Sequence, residues 1–187
     1  MQSIFNRSLI AAGLILLCGT ATLTAEPADV GAQGVKKLQQ LTPEMLQKDI
    51  EQQHPAAYYV LASKLFAAKK QDEAVFWFYL GQIRYRAHLA ANPALEPSGD
   101  PALFSSLSET VGRPLNEYAF GSIPTLAQTI DKALAWDEAH ANGFTPKDKH
   151  AKAYEGTRAG LVKLREMIVK QEASIKRQRA ANGLENR

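Results

Sequence analysis

An all-α, single-domain fold is predicted by three features of this chain. From Gln71 to Asn92 apolar residues occupy nearly every side of a would-be helix, starting with the run at residues 74–81, in which four of eight are aromatic. No segment alternates apolar and polar residues as a half-buried strand would. Helix start and stop signals, among them Thr42-Pro43, Asp100-Pro101, Asn142-Gly143 and Thr145-Pro146, punctuate the rest. A helix that is apolar all round must be covered all round, so 71–92 is the expected centre of a helical bundle. With 187 residues, 45% of them hydrophobic and 22% charged, the chain is large enough for one domain with a real core.

The first residues are not expected to belong to that core. Arg7 precedes an apolar run from Leu9 to Cys18, followed by small and hydroxyl residues up to Ala25. A basic start, a short apolar run and small residues at the end make the pattern of a secretory signal peptide, residues 1–25, with cleavage after Ala25. The run is shorter than the roughly 20 residues that cross a bilayer, so no membrane span is expected after cleavage. Cys18 is the single cysteine. Leu17 before it departs from the small residue that precedes a lipidated cysteine, so export to the periplasm or medium is expected without a lipid anchor.

Residues 26–41 show no sustained pattern, and Gly31 and Gly34 point to a flexible leader before a helical domain over 42–187. Thr42 caps and Pro43 opens a helix to about Gln53, burying Met45, Leu46 and Ile50. His54-Pro55 interrupts it. A second helix runs to about Lys69 with Tyr58, Leu61, Ala62, Leu65 and Phe66 on one side. After the central helix, a loop with three prolines leads to Asp100 as the cap of a short helix, stopped by Gly112-Arg113-Pro114. Residues 115–121 read as an irregular connector. A helix from Ser122 or Pro124 carries Leu126, Ile130 and Leu134. From Pro146 one last helix reaches Asn182-Gly183, with Tyr154, Leu161, Leu164, Ile168 and Ile175 at helical spacing.

Tyr58, Leu61, Ala62, Leu65, Ala74, Phe78 and Gly81 fall at the spacing of the helix–turn–helix unit of tetratricopeptide and Sel1-like repeats, and the stretch from about 55 to 92 resembles one such unit. Lys69 and Gln71 depart from it, standing where the turn usually has glycine and a large apolar residue. No second copy follows. The resemblance implies that Leu61, Leu65, Ala74 and Phe78 face inward while Tyr59, Ser63 and Phe66 line an open side. It also implies a protein-binding role, that of an adaptor or of an immunity-type protein that neutralises a toxin.

No nucleophile elbow, phosphate loop or zinc-ligand spacing is present, and a non-enzymatic chain without cofactor is the expectation. The binding candidates are Tyr59, Ser63, Phe66 and Arg84. An alternative pocket for a small molecule or a reaction would use Arg84, Tyr85 and the helix end from Asp137 to His140, polar groups beside aromatics. Asp137 and His140 share a helix face at ligand spacing, but His54, His88 and His150 are scattered in sequence, so no metal site is expected. Net charge is +3 overall, yet residues 147–187 hold eleven basic against five acidic side chains. A solvated helix face accounts for that excess, and export disfavours nucleic acid as a partner.

Overall fold

The computed structural model describes residues 31–187, so the expected signal peptide and Cys18 lie outside the described residues. The helices are α1 (Gly31–Gln40), α2 (Pro43–Gln47), α3 (Ala56–Ala67), α4 (Gln71–Ala91), α5 (Asp100–Leu107), α6 (Arg113–Ala119), α7 (Ile123–Ala139), α8 (Ala151–Lys170) and α9 (Glu172–Ala181). No strand occurs among the described residues, and the fold is all-α. No helix among them is long and apolar enough to cross a membrane.

α4 lies at the centre, as a helix without a polar face should. It packs against α3, α5, α6, α7 and α8, and Val75, Phe78, Leu80, Ile83, Tyr85 and Ala87 along it are buried. The approach of α3 to α4 is close because Gly81 has no side chain: a Cβ there would meet Tyr58 Cβ at 2.9 Å. The turn between them is a helix C-cap in which Lys70 N–H donates to Leu65 O and Lys69 N–H to Phe66 O. Lys69 takes φ 64°, the left-handed conformation that usually selects glycine.

α8 runs antiparallel to α4. It starts beside the C-terminal half of α4, where Tyr154 donates to Thr145 O and Thr145 meets His88. After α9 the chain returns to α6: Arg179 donates to Glu117 O and Arg187 to Tyr118 O. Tyr118 in turn donates to Asp72 at the N-terminal end of α4.

Several elements differ from the sequence reading. Residues 31–40 form a helix with Val35 buried where an unpatterned leader was expected. The helix after Thr42 stops at Gln47, because Asp49 adopts φ 54° and a 3₁₀ turn follows, which leaves Met45 54% exposed. Gly112-Arg113-Pro114 does not end the fifth helix. A wide π turn, Ser108–Gly112, carries the chain into α6 over the residues expected to be a connector, and such a turn accommodates the N–H that Pro114 lacks. The single long C-terminal helix is two, with a bend at Gln171. No glycine or proline marks that bend. It brings α9 back onto α6, where Arg179 secures it.

Candidate functional site

The sequence-predicted site residues do not form one surface. Tyr59 is fully buried, edge-on to Phe78, Tyr85 and Phe104 at centroid distances of 5.5, 6.0 and 6.4 Å. Ser63 is exposed, whereas Phe66 is half-buried against the edge of Tyr118. The open side expected for Tyr59, Ser63 and Phe66 is thus closed at Tyr59, because α5 and the π turn pack over that face of α3.

Arg84 is buried as well, at 1% exposure, and does meet Asp137. Its Nε lies 2.7 Å from Asp137 Oδ1, off the line of a good hydrogen bond, while its terminal nitrogens donate to Ala141 O and His140 O at 2.8 and 3.1 Å. Its guanidinium also lies over Trp136, which stacks on His140. Arg158 and Lys147 complete the shell around Asp137. Burial lowers the Lys147 ammonium below its ordinary value despite the carboxylate beside it. The expected pocket of Arg84, Tyr85 and Asp137–His140 is therefore a filled core cluster: Tyr85 points away to Asp100, and the terminal Arg84 nitrogens donate to the chain's own carbonyls. A buried charge cluster enclosed in this way joins α4 to α7 and α8.

The structure brings together a constellation that the sequence scattered. His54 before α3, Tyr85 and His88 on α4, and Asp100 at the start of α5 meet in the interior. Asp100 was expected to cap α5, but its carboxylate turns inward. It accepts from His54 Nε2 at 3.0 Å, Tyr85 hydroxyl at 3.1 Å and His88 Nε2 at 2.8 Å. The other ring nitrogens fix the tautomers. His54 Nδ1 accepts from Ala56 N–H at 3.1 Å, and His88 Nδ1 lies 3.2 Å from both the Asn92 amide nitrogen and the Thr145 hydroxyl. Both imidazoles therefore carry their proton on Nε2, aimed at Asp100. Burial would push the Asp100 carboxyl up, but these imidazole donors outweigh it and hold the group well below the usual carboxylate range.

His54, His88 and Asp100 have the residue types of a metal site, and their donor atoms lie within 4.8 Å of one another. The wiring does not fit one. A ligating Nε2 would move the proton to Nδ1, where a metal-bound histidine donates to an acceptor; here Ala56 N–H already points at that atom of His54. The cluster reads as a clasp between α3, α4, α5 and the loop at Thr145. In sequence its one signal was a histidine on an otherwise apolar face of the central helix.

An accessible cleft of about 740 Å³ lies between α4 and α8, walled on the third side by Ser108, Asn116 and Phe120, and a smaller one of about 300 Å³ lies beside Phe66 and Tyr118. From α4 the larger cleft takes Phe78, Tyr79, Gln82, Ile83, Arg86 and Ala90, one helix face at spacings of three and four. From α8 it takes Lys152, Ala153, Gly156, Thr157, Gly160, Leu161 and Leu164. Two of these are glycines inside a helix, each costing about 1 kcal/mol relative to alanine. Neither is demanded by packing, since a Cβ at Gly156 or Gly160 would meet nothing within 4 Å. The lining includes no Asp or Glu and two cations, Arg86 and Lys152. Compared with protein-family models, characterised proteins and solved structures, the chain matches none.

Proposed function

We propose that this chain is a non-catalytic, exported binding protein whose ligand enters the cleft between α4 and α8. The carrying observation is the α8 wall of that cleft, where two exposed helix-interior glycines border open space that no neighbouring side chain fills. Its volume falls within the roughly 300–1,000 Å³ of small-molecule sites, and a mostly apolar lining with a few polar groups is their usual composition. The reading as exported rests on the N-terminal sequence pattern. A non-catalytic role is supported by the His54–Asp100–His88 cluster, whose proton-exchanging atoms point at one another in the interior.

Compared with the protein-binding module implied by the repeat-like hairpin, this reading moves recognition from the α3 side, where Tyr59 is buried, to the opposite side of α4. Titration of an environment-sensitive naphthalene sulfonate dye tests it. The mature protein is expected to take up the dye saturably at one site, and Gly160→Leu, which fills the cleft, is expected to abolish that uptake with the helical signal unchanged. Equal dye binding by both proteins would contradict the assignment.

A further inference from the structure

The cleft is charged at one end only, and that asymmetry indicates what it holds. Because α8 is antiparallel to α4, Lys152 and Ala153 lie at the end marked by Arg86 and Ala90, while Leu161 and Leu164 lie toward Phe78 and Tyr79. From Lys152 to Leu164 the helix rises about 18 Å at 1.5 Å per residue. The cationic end is oriented rather than loose. Arg86 Nε donates to Gln82 Oε1 at 2.8 Å, and the guanidinium rests over the Phe104 ring at 5.1 Å. No carboxylate among the described residues pairs with Arg86 or Lys152, although Arg113, Arg158, Arg165 and Lys176 all have acidic partners. Phe78, Phe120, Leu161 and Leu164 line the rest of the cleft, where the Tyr79 hydroxyl donates to Asn116 Oδ1 at 3.0 Å and no charged group is present.

Resting on the cleft assignment above, we infer that the ligand is a single-chain amphiphile with an anionic head, a long-chain carboxylate. Its chain lies along Gly156 and Gly160 toward Phe78 and Leu164, and its head is paired by Arg86 and Lys152. A guanidinium held in place offers two parallel donors to a carboxylate, and the ammonium adds a point charge. The glycines let a methylene chain approach the helix backbone closely, which a Cβ would prevent.

Calorimetric titration of the mature protein with monomeric myristate and with tetradecyltrimethylammonium tests the inference. The wild type is expected to prefer myristate by roughly tenfold, the sum of two partly exposed charge contacts. The double variant R86E/K152E, altered only at exposed positions, is expected to reverse that preference. Gly160→Leu is expected to weaken both ligands. If both amphiphiles bind equally and Gly160→Leu weakens both, the anionic head is overturned and the cleft assignment stands. If neither binds, or Gly160→Leu changes nothing, both fall. Binding to phosphatidylglycerol vesicles with none to free myristate, or binding only of an acidic amphipathic peptide, likewise overturns a free carboxylate as the ligand.

Discussion

Asp100 shows at the scale of one residue how the interior is held. Asp100→Asn keeps the shape but sets an amide donor against one imidazole N–H, and leaving buried donors without acceptors is expected to cost about 2–4 kcal/mol in urea unfolding at neutral pH. The pH dependence has a definite sign. The folded carboxyl is held below its ordinary value of 3.8, so the unfolded chain takes up the proton first as pH falls. The contribution is complete above about pH 4 and is lost progressively below it. Urea midpoints measured from pH 6 to pH 3 should therefore fall more steeply in the wild type than in Asp100→Asn. Little of this was legible. His54, His88 and Asp100 are separated by 34 and 12 residues (88 − 54 and 100 − 88) and are joined only by the packing of α3, α4 and α5. Tyr59 failed for a related reason: helical spacing showed which face it occupies, but α5 and the π turn, remote in sequence, decide whether that face is covered.

Two of the punctuated boundaries were read accurately. Thr42 accepts from Met45 N–H at 3.3 Å as a cap should, and α4 ends within one residue of its expected boundary. The bend at Gln171 carries no such signal, because α9's contacts with α6 impose it, and at the π turn Gly112-Arg113-Pro114 reads as a stop although the chain continues into α6. Two predictions belong at this scale. Lys69→Gly relieves a left-handed lysine and is expected to stabilise the protein by about 0.5–1 kcal/mol, after allowance for glycine's greater freedom when unfolded. Thermal unfolding checks it, and a lowered midpoint would mean that the lysine side chain contributes more than its backbone strain costs. Gly156→Ala and Gly160→Ala are each expected to add about 0.5–1 kcal/mol to the stability of the free protein while weakening ligand binding, a pair of opposite signs that a purely structural glycine would not give.

For the whole molecule, the C-terminal segment is more firmly attached than its charge suggested. The basic excess read as a solvated face includes Arg179 and Arg187, whose bonds to Glu117 O, Tyr118 O and Gly121 O tie the tail to α6 and its C-terminal end. Truncation after Ile175 should therefore cost about 1–3 kcal/mol with the fold retained. Faster amide exchange in α6 would report it. The centrality of α4 was legible because only a buried helix can be apolar all round. The cleft was not, because it depends on α8 running antiparallel to α4 and on where two unremarked glycines then fall.

The claim that recognition occurs there is tested most directly by amide chemical-shift mapping of the labelled protein during titration with myristate. Perturbations are predicted to concentrate on Ile83, Arg86, Ala153, Gly156, Gly160 and Leu161. Perturbations at Ser63 and Phe66 instead, or none above those of a detergent control, would contradict it.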